Sequence, residues 1–243
     1  MSNVKHNSTQ TPFGLFGSPR GNLRVAVLAV LVTFACGLMA IYTDKTVALT
    51  IRELLPTDIR RGFIPVTDLG KADYYILILV VTWLVGRIAF LRAAPRSVAR
   101  AWATLSRSAA FIISSLAFSA VLVHILKLTV GRARPRELFR EEIYAAFPFS
   151  FDTSLSSFPS GHSQTVWSIM TALMFLYPRA WPLFAAWATV IASSRVIVGS
   201  HFPSDVLMGS FIAAMSAIYV RQKWFADLEA PNFKPFLARG ENA

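Results

Sequence analysis

Three short clusters carry residue types able to do chemistry together: Lys127 with Arg134-Pro135, Pro159-Ser160-Gly161-His162, and Ser194-Arg195 with His201 and Asp205. Lys127, Arg134 and Arg195 are cations. Brought together where charge is poorly solvated they would repel one another, and even a lenient insertion scale puts one charge at the centre of a bilayer at about 2.5–3.5 kcal/mol. A polyanion between them relieves the repulsion, and planar guanidinium forks match phosphate oxygens. Ser160-Gly161-His162 opens a helix, so its backbone N–H groups and the positive helix end also favour an anion. Gly161 lets the backbone approach closely. The guest these residues suit is a phosphate group.

Two histidines complete the set. His201 and Asp205 are four residues apart, with Pro203 suited to the first turn of a helix between them. Asp205 can accept a hydrogen bond from one ring nitrogen of His201, which fixes the tautomer and leaves the other nitrogen free to attack phosphorus. His162 can protonate the departing oxygen. This chemistry calls for no metal and no cofactor, since a metal site would want several carboxylates beside the histidines and only Asp205 is available. Taken singly the residues have plainer readings. Lys127 can snorkel at a helix end, and His201 with Asp205 can be a structural pair at a helix start. The set as a whole favours a site.

In order and internal spacing the clusters resemble the tripartite signature of the type-2 phosphatidic acid phosphatase superfamily, which includes lipid phosphate phosphatases, glucose-6-phosphatase and vanadium haloperoxidases. Eleven specified positions match: Lys127, Arg134, Pro135, Pro159, Ser160, Gly161, His162, Ser194, Arg195, His201 and Asp205. The strict resemblance covers Lys127–Asp205. Each motif alone is weak and the ordered set is strong. The resemblance implies a phosphohistidine intermediate on His201, oriented by Asp205, with His162 as general acid. It also implies phosphate contacts from Lys127, Arg134, Ser160, Gly161 and Arg195, and metal-independent activity.

The elements that must position these residues are membrane spans. The chain has 243 residues, 54% hydrophobic and only 15% charged, against about 25% charged in a soluble domain. At about 20 residues per span, six spans and their loops fill it. Six apolar segments are visible: Leu23–Tyr42, Tyr74–Leu91, Ala109–Leu126, His162–Tyr177, Trp181–Val198 and Pro203–Val220. The expected fold is an all-α polytopic membrane bundle of about six transmembrane helices. A polar cytoplasmic segment, 1–22, precedes the phosphatase domain, 23–221, and a cytoplasmic tail, 222–243, follows it. The first apolar run is long for a signal peptide and reads as an uncleaved span. With one cysteine, Cys36, no intramolecular disulfide forms.

The net charge of +11 is mostly an orientation signal. Lys5, Arg20 and Arg24, and then Arg87, Arg92, Arg96, Arg100 and Arg107, lie in connections without acids and mark the cytoplasmic side. The connection 44–73 balances acids and bases and belongs outside. This topology, drawn without the three clusters, brings all three to one outer face. No basic face on a soluble module is visible, so nucleic acid is excluded as a partner, and no obligatory protein partner is implied.

The loop 127–140 is basic on the wrong side for orientation and needs another reason. Arg132, Arg136 and Arg140 either extend a surface for an anionic lipid or pair with Glu137, Glu141 and Glu142. His124 reads as a satisfied interior histidine, Cys36 as packing, the aromatic loop 136–158 as an interfacial anchor or else a cover that helps select the lipid, and 46–61 as an amphipathic segment on the membrane. The function expected is hydrolysis of a phosphomonoester or pyrophosphate of a membrane lipid at the periplasmic or exterior face of a bacterial inner membrane. Phosphatidylglycerophosphate, phosphatidic acid, undecaprenyl pyrophosphate and lipid A 1-phosphate all fit. The alternatives are a lipid phosphotransferase using the same histidines, a haloperoxidase, and a non-catalytic transporter or scaffold.

Overall fold

The computed structural model describes residues 15–92 and 95–231. Ten α-helices follow one another there: α1 (Pro19–Tyr42), α2 (Asp44–Leu54), α3 (Thr57–Gly62), α4 (Ile64–Asp68), α5 (Ala72–Arg92), α6 (Arg96–Val130), α7 (Pro135–Glu141), α8 (Gly161–Leu176), α9 (Trp181–Ile197) and α10 (Pro203–Trp224). The described residues form no β-strand, only one isolated bridge between Arg132 and Ala146. Five helical stretches are long and apolar enough to cross a membrane: Pro19–Tyr42, Thr57–Arg92, Arg96–Val130, Pro178–Ile197 and Pro203–Trp224. The protein is a multi-pass helical membrane bundle.

The remaining large helix, α8, is short and carries polar residues because it lies at the centre. Its partners are α6, α9 and α10, and Ser163, Gln164, Thr165 and Ser168 are all buried. Gln164 Nε2 donates to Leu116 O at 3.2 Å and to Ser119 Oγ at 2.6 Å. Inside a bilayer such contacts hold helices together, because lipid supplies no competing partner. By contrast α1 and α5 are apolar all round. Leu31, Phe34, Ile41, Leu77 and Ile78 stand exposed on them, as outer helices facing acyl chains would. The stem of α1 packs on α10 and α5 lies along α6.

Several boundaries differ from the apolar segments. Ser18 caps α1, its Oγ accepting from Gly21 N at 3.1 Å, so the helix starts ahead of Leu23. The lead-in 1–14 and the tail 232–243 lie outside the described residues. The basic connection between the second and third segments is mostly helix. α5 runs to Arg92, and α6 begins after Pro95, a residue that fits a helix start and not its interior. At the other end α6 stops at Gly131, whose φ of 60° is left-handed and whose added Cβ would lie 1.8 Å from Phe147 O. Only glycine lets the loop after α7 fold back over this helix end. The connection 44–73 is folded into α2, α3 and α4, with α4 packed against α9.

The helices alternate in direction. The ends of α6 and α9 and the starts of α8 and α10 therefore meet at one end of the bundle, together with the start of α2.

Candidate active site

The start of α10 organises this end. Pro203 occupies its first turn, and Asp205 Oδ2 accepts from Phe202 N at 2.8 Å. The same oxygen accepts from Ser157 Oγ at 2.6 Å, and Oδ1 accepts from Arg132 Nη1 at 2.7 Å. His201 Nδ1 lies 3.5 Å from Asp205 Oδ2, close but beyond a well-formed hydrogen bond. Asp205 is therefore first a helix cap and a loop anchor, and its contact with His201 is the longest it makes. His201 is buried in the loop after α9, its backbone N–H donating to Arg195 O at 3.2 Å. Burial pushes its imidazole below the usual range, with Asp205 pulling the other way, so its resting form is the neutral ring.

α8 is fastened to α10 backbone to backbone. Ser160 N donates to Asp205 O at 2.9 Å. A Cβ on Gly209 would lie 2.4 Å from Ser160 O, so this close approach requires glycine on α10. Ser160 is fully buried, and its Oγ caps α8 by accepting from Ser163 N and Ser163 Oγ. The hydroxyl expected to touch phosphate thus serves as the helix cap, with its own O–H left to donate. The amides of Gly161 and His162 remain as first-turn donors.

The three cations converge from three elements. Lys127, in the last turn of α6, places its Cε 3.9 Å from where a Gly161 Cβ would be and donates through Nζ to Ser156 O at 2.5 Å. Arg134, just ahead of α7, donates to Ser156 Oγ at 3.1 Å and Thr153 O at 3.0 Å. Arg195, in the last turn of α9, donates to Thr67 Oγ1 at 2.8 Å, while its Nε is buried without a partner among the described residues. An orphaned buried donor of this kind is unusual and marks a place for an acceptor. Among the described residues none of the three cations bonds to a carboxylate. They lie within electrostatic reach of one another, and Lys127 and Arg195 also of His201. His162 joins them from the first turn of α8, against Gly70. It also lines a cavity of about 520 Å³ that runs between α5 and α6 past Ile76, Ile113, Ala117, Ala120 and His124.

The structure thus brings Lys127, Arg134, Ser160, Gly161, His162, Arg195, His201 and Asp205 to one place. It also adds residues the sequence did not single out. Thr67 in α4 and Ser156 and Ser157 in the loop before α8 are hydroxyl residues that carry no distinguishing signal. Arg132 corrects both earlier readings, since it is neither a surface residue nor a partner of the glutamates. It is 8% exposed and paired with Asp205 and with Asp44. Arg136 does pair with Glu137, at 2.8 Å. His124 is exposed, not interior, because the α5–α6 cavity opens beside it. Phe147, Phe149 and Phe151 stand exposed, whereas Phe139, Tyr144 and Phe158 are drawn into packing. Among the described residues no group of three or more His, Cys, Asp or Glu is placed to hold a metal ion.

A membrane bundle ending in a pocket of three cations and two imidazoles defines a helical membrane protein built to receive an anion. Residues 108–228, which contain all three clusters, match the family model described as the PAP2 superfamily, and the chain belongs to that superfamily. It is 35% identical over 144 residues to the lipid A 1-phosphatase of Rhizobium etli, covering 59% of this chain and 62% of the relative. It is 27% identical over 158 residues to the undecaprenyl-diphosphatase BcrC of Bacillus subtilis, covering 65% of this chain and 70% of that protein. The chain thus spans a little under two thirds of the length of the lipid A 1-phosphatases it matches. The fold is shared with the crystal structure of a PAP2-type phosphatidylglycerolphosphate phosphatase from Bacillus subtilis, at a TM-score of 0.61 and 17% identity, over 84% of this chain and 96% of that one.

Proposed function

We propose that the protein is a metal-independent phosphatase of a membrane lipid, working through a phosphohistidine on His201. The observation that carries this reading is the conjunction of three cations, free of carboxylate partners among the described residues, with a buried, neutral His201 beside Asp205. In the first step the ring nitrogen of His201 remote from Asp205 attacks phosphorus. The bond from phosphorus to the lipid oxygen breaks, and His162 gives that oxygen a proton. In the second step water attacks the phosphohistidine, His162 takes a proton from it, and inorganic phosphate leaves with His201 restored. Lys127, Arg134 and Arg195, with the Gly161 amide, hold the charge that grows on the transferring group. Ser160 serves the phosphate through the helix start that it caps. Asp205 supports the positive imidazole ring, and its contact with His201 tightens as that charge develops.

The apolar cavity between α5 and α6 supports a lipid leaving group, since it ends at the histidine that protonates the departing oxygen. The relatives favour a lipid A 1-phosphate as substrate, ahead of an undecaprenyl diphosphate, phosphatidylglycerophosphate or phosphatidic acid. Arg92, Arg96, Arg100 and Arg107 lie at the bundle end opposite the site, on the last turn of α5 and the first turns of α6. By the positive-inside rule that end is cytoplasmic, which supports a site facing the periplasm of an inner membrane. The domain is a single unit, 23–221, flanked by polar cytoplasmic segments.

The test is inorganic phosphate release by purified protein in detergent with EDTA, across these four lipids, with His201→Ala alongside. Release from one lipid, unaffected by EDTA and lost in the variant, is the expected result. No release from any of them by folded protein overturns the reading.

A further inference from the structure

Asp44 begins α2, at the outer end of the first span, far in sequence from the three clusters and outside the region that matches the family model. It is nonetheless fully buried against them. Its Oδ1 accepts from Ser204 N at 3.1 Å and its Oδ2 from Arg132 Nη2 at 2.9 Å, and the Ser204 hydroxyl donates to it as well. Arg132 divides its fork between two acids, Nη2 to Asp44 and Nη1 to Asp205 at 2.7 Å. The guanidinium lies over the Phe202 ring, 4.3 Å from its centroid, and Nη2 also donates to Tyr144 Oη at 2.8 Å. Two carboxylates and one guanidinium thus form a dry cluster of net charge −1 behind His201.

That charge count matters for the nucleophile. His201 is faced by Asp205 on α10, by Lys127 on α6, by Arg195 on α9 and by His162 on α8. Asp205 is the only anion among them. Were Arg132 bound to Asp205 alone, its charge would cancel that of Asp205, and His201 would face a neutral pair amid cations. The ring would then attack phosphorus less well and lose the counter-charge for the positive form it takes on when phosphorylated. By holding the other half of the fork, Asp44 leaves Asp205 anionic in effect.

We propose that Asp44 is a positioning residue of the active site, acting through Arg132 and Asp205 to keep His201 nucleophilic, so that the α1–α2 arm completes the catalytic centre. The inference rests on the phosphohistidine reading above. Asp44 touches no substrate, so its loss acts on kcat and not on KM. Orienting acids in direct contact with a catalytic histidine are worth roughly 10⁴-fold. Asp44 stands one residue further back, and Asp44→Asn is expected to lower kcat by about 10- to 100-fold with KM unchanged. Protonated His201 loses part of its support in that variant, so the acid limb of the pH–rate profile moves to lower pH. Asp44→Glu, which keeps the charge, holds the limb in place. Asp44→Asn with Arg132→Gln restores net −1 from Asp205 alone, so the double variant has the wild-type limb and a higher kcat than Asp44→Asn.

The experiment is the full pH–rate profile of phosphate release by wild type and these variants, with the folded fraction of each measured by size exclusion and thermal melting. Wild-type kcat and limb in folded Asp44→Asn overturn the proposal. So does a kcat loss that merely tracks the folded fraction with the limb unmoved. If Asp44→Asn does not accumulate, the double variant decides alone: a wild-type limb supports the proposal and a displaced one overturns it. A wild type that releases no phosphate rejects the phosphatase reading itself, which separates the two failures.

Discussion

Arg132 and Arg134 stand two residues apart on one loop, carry the same side chain and meet opposite fates. Arg132 is buried and bonded to two carboxylates, a serine hydroxyl and a tyrosine. Arg134 bonds to a backbone carbonyl and a serine hydroxyl, both neutral. A guanidinium held by carboxylates has its charge cancelled and serves to fix position. One held by neutral oxygens is oriented but keeps its charge for an incoming anion. Lys127 and Arg195 follow Arg134 in this respect. The pocket and its support are thus built from the same residue type, sorted by what each cation is given as a partner.

The sharpest way to break the comparison is to remove each arginine in turn. Arg134→Ala should lower kcat/KM by roughly 10²–10³-fold, the loss seen when one preorganised donor to a developing anion is removed. Its melting temperature should stay close to wild type. Arg132→Ala leaves Asp44 and Asp205 buried without their shared cation, and breaking such a pair costs about 3–5 kcal/mol. Its main effect should be a lower melting temperature or loss of folded protein. If both variants fail in the same way, the division between pocket and support is wrong.

A smaller effect concerns pH. His201 attacks only as the neutral ring, so activity falls as acid protonates it. Burial holds its pKa down, so the acid limb of kcat/KM should lie below the ordinary imidazole value of about 6.5. A limb at or above that value would show that Asp205 outweighs burial. The smallest effect is at the surface. Arg136 pairs with Glu137 in the open at 2.8 Å, and Arg136→Ala should change stability by no more than about 0.5 kcal/mol and leave kcat/KM unchanged. A larger loss of activity there would mean that the lipid headgroup reaches further along α7.

The sequence by itself carried the fold class and the candidate pocket. Twenty-residue apolar runs have few fates other than crossing a bilayer, and alternate direction then brings the end of one segment beside the start of the next. That is why Lys127, His162, Arg195 and His201 could be placed at one face before any coordinates. The short α8 was legible too, but its polar residues make sense only with α6, α9 and α10 around it. Other features were decided by packing alone. That the Ser160 hydroxyl also caps α8, and that its amide reaches Asp205, was not legible in the sequence. Arg132 was read as a surface charge because nothing in a sequence distinguishes a buried arginine from an exposed one. Asp44 sat in a connection whose charges balance, and balance hid it. The two are 88 residues apart, joined by no period or spacing. What unites them is the docking of the α1–α2 arm on α10, which excludes water from both and leaves each the other's charge as its best remaining solvent.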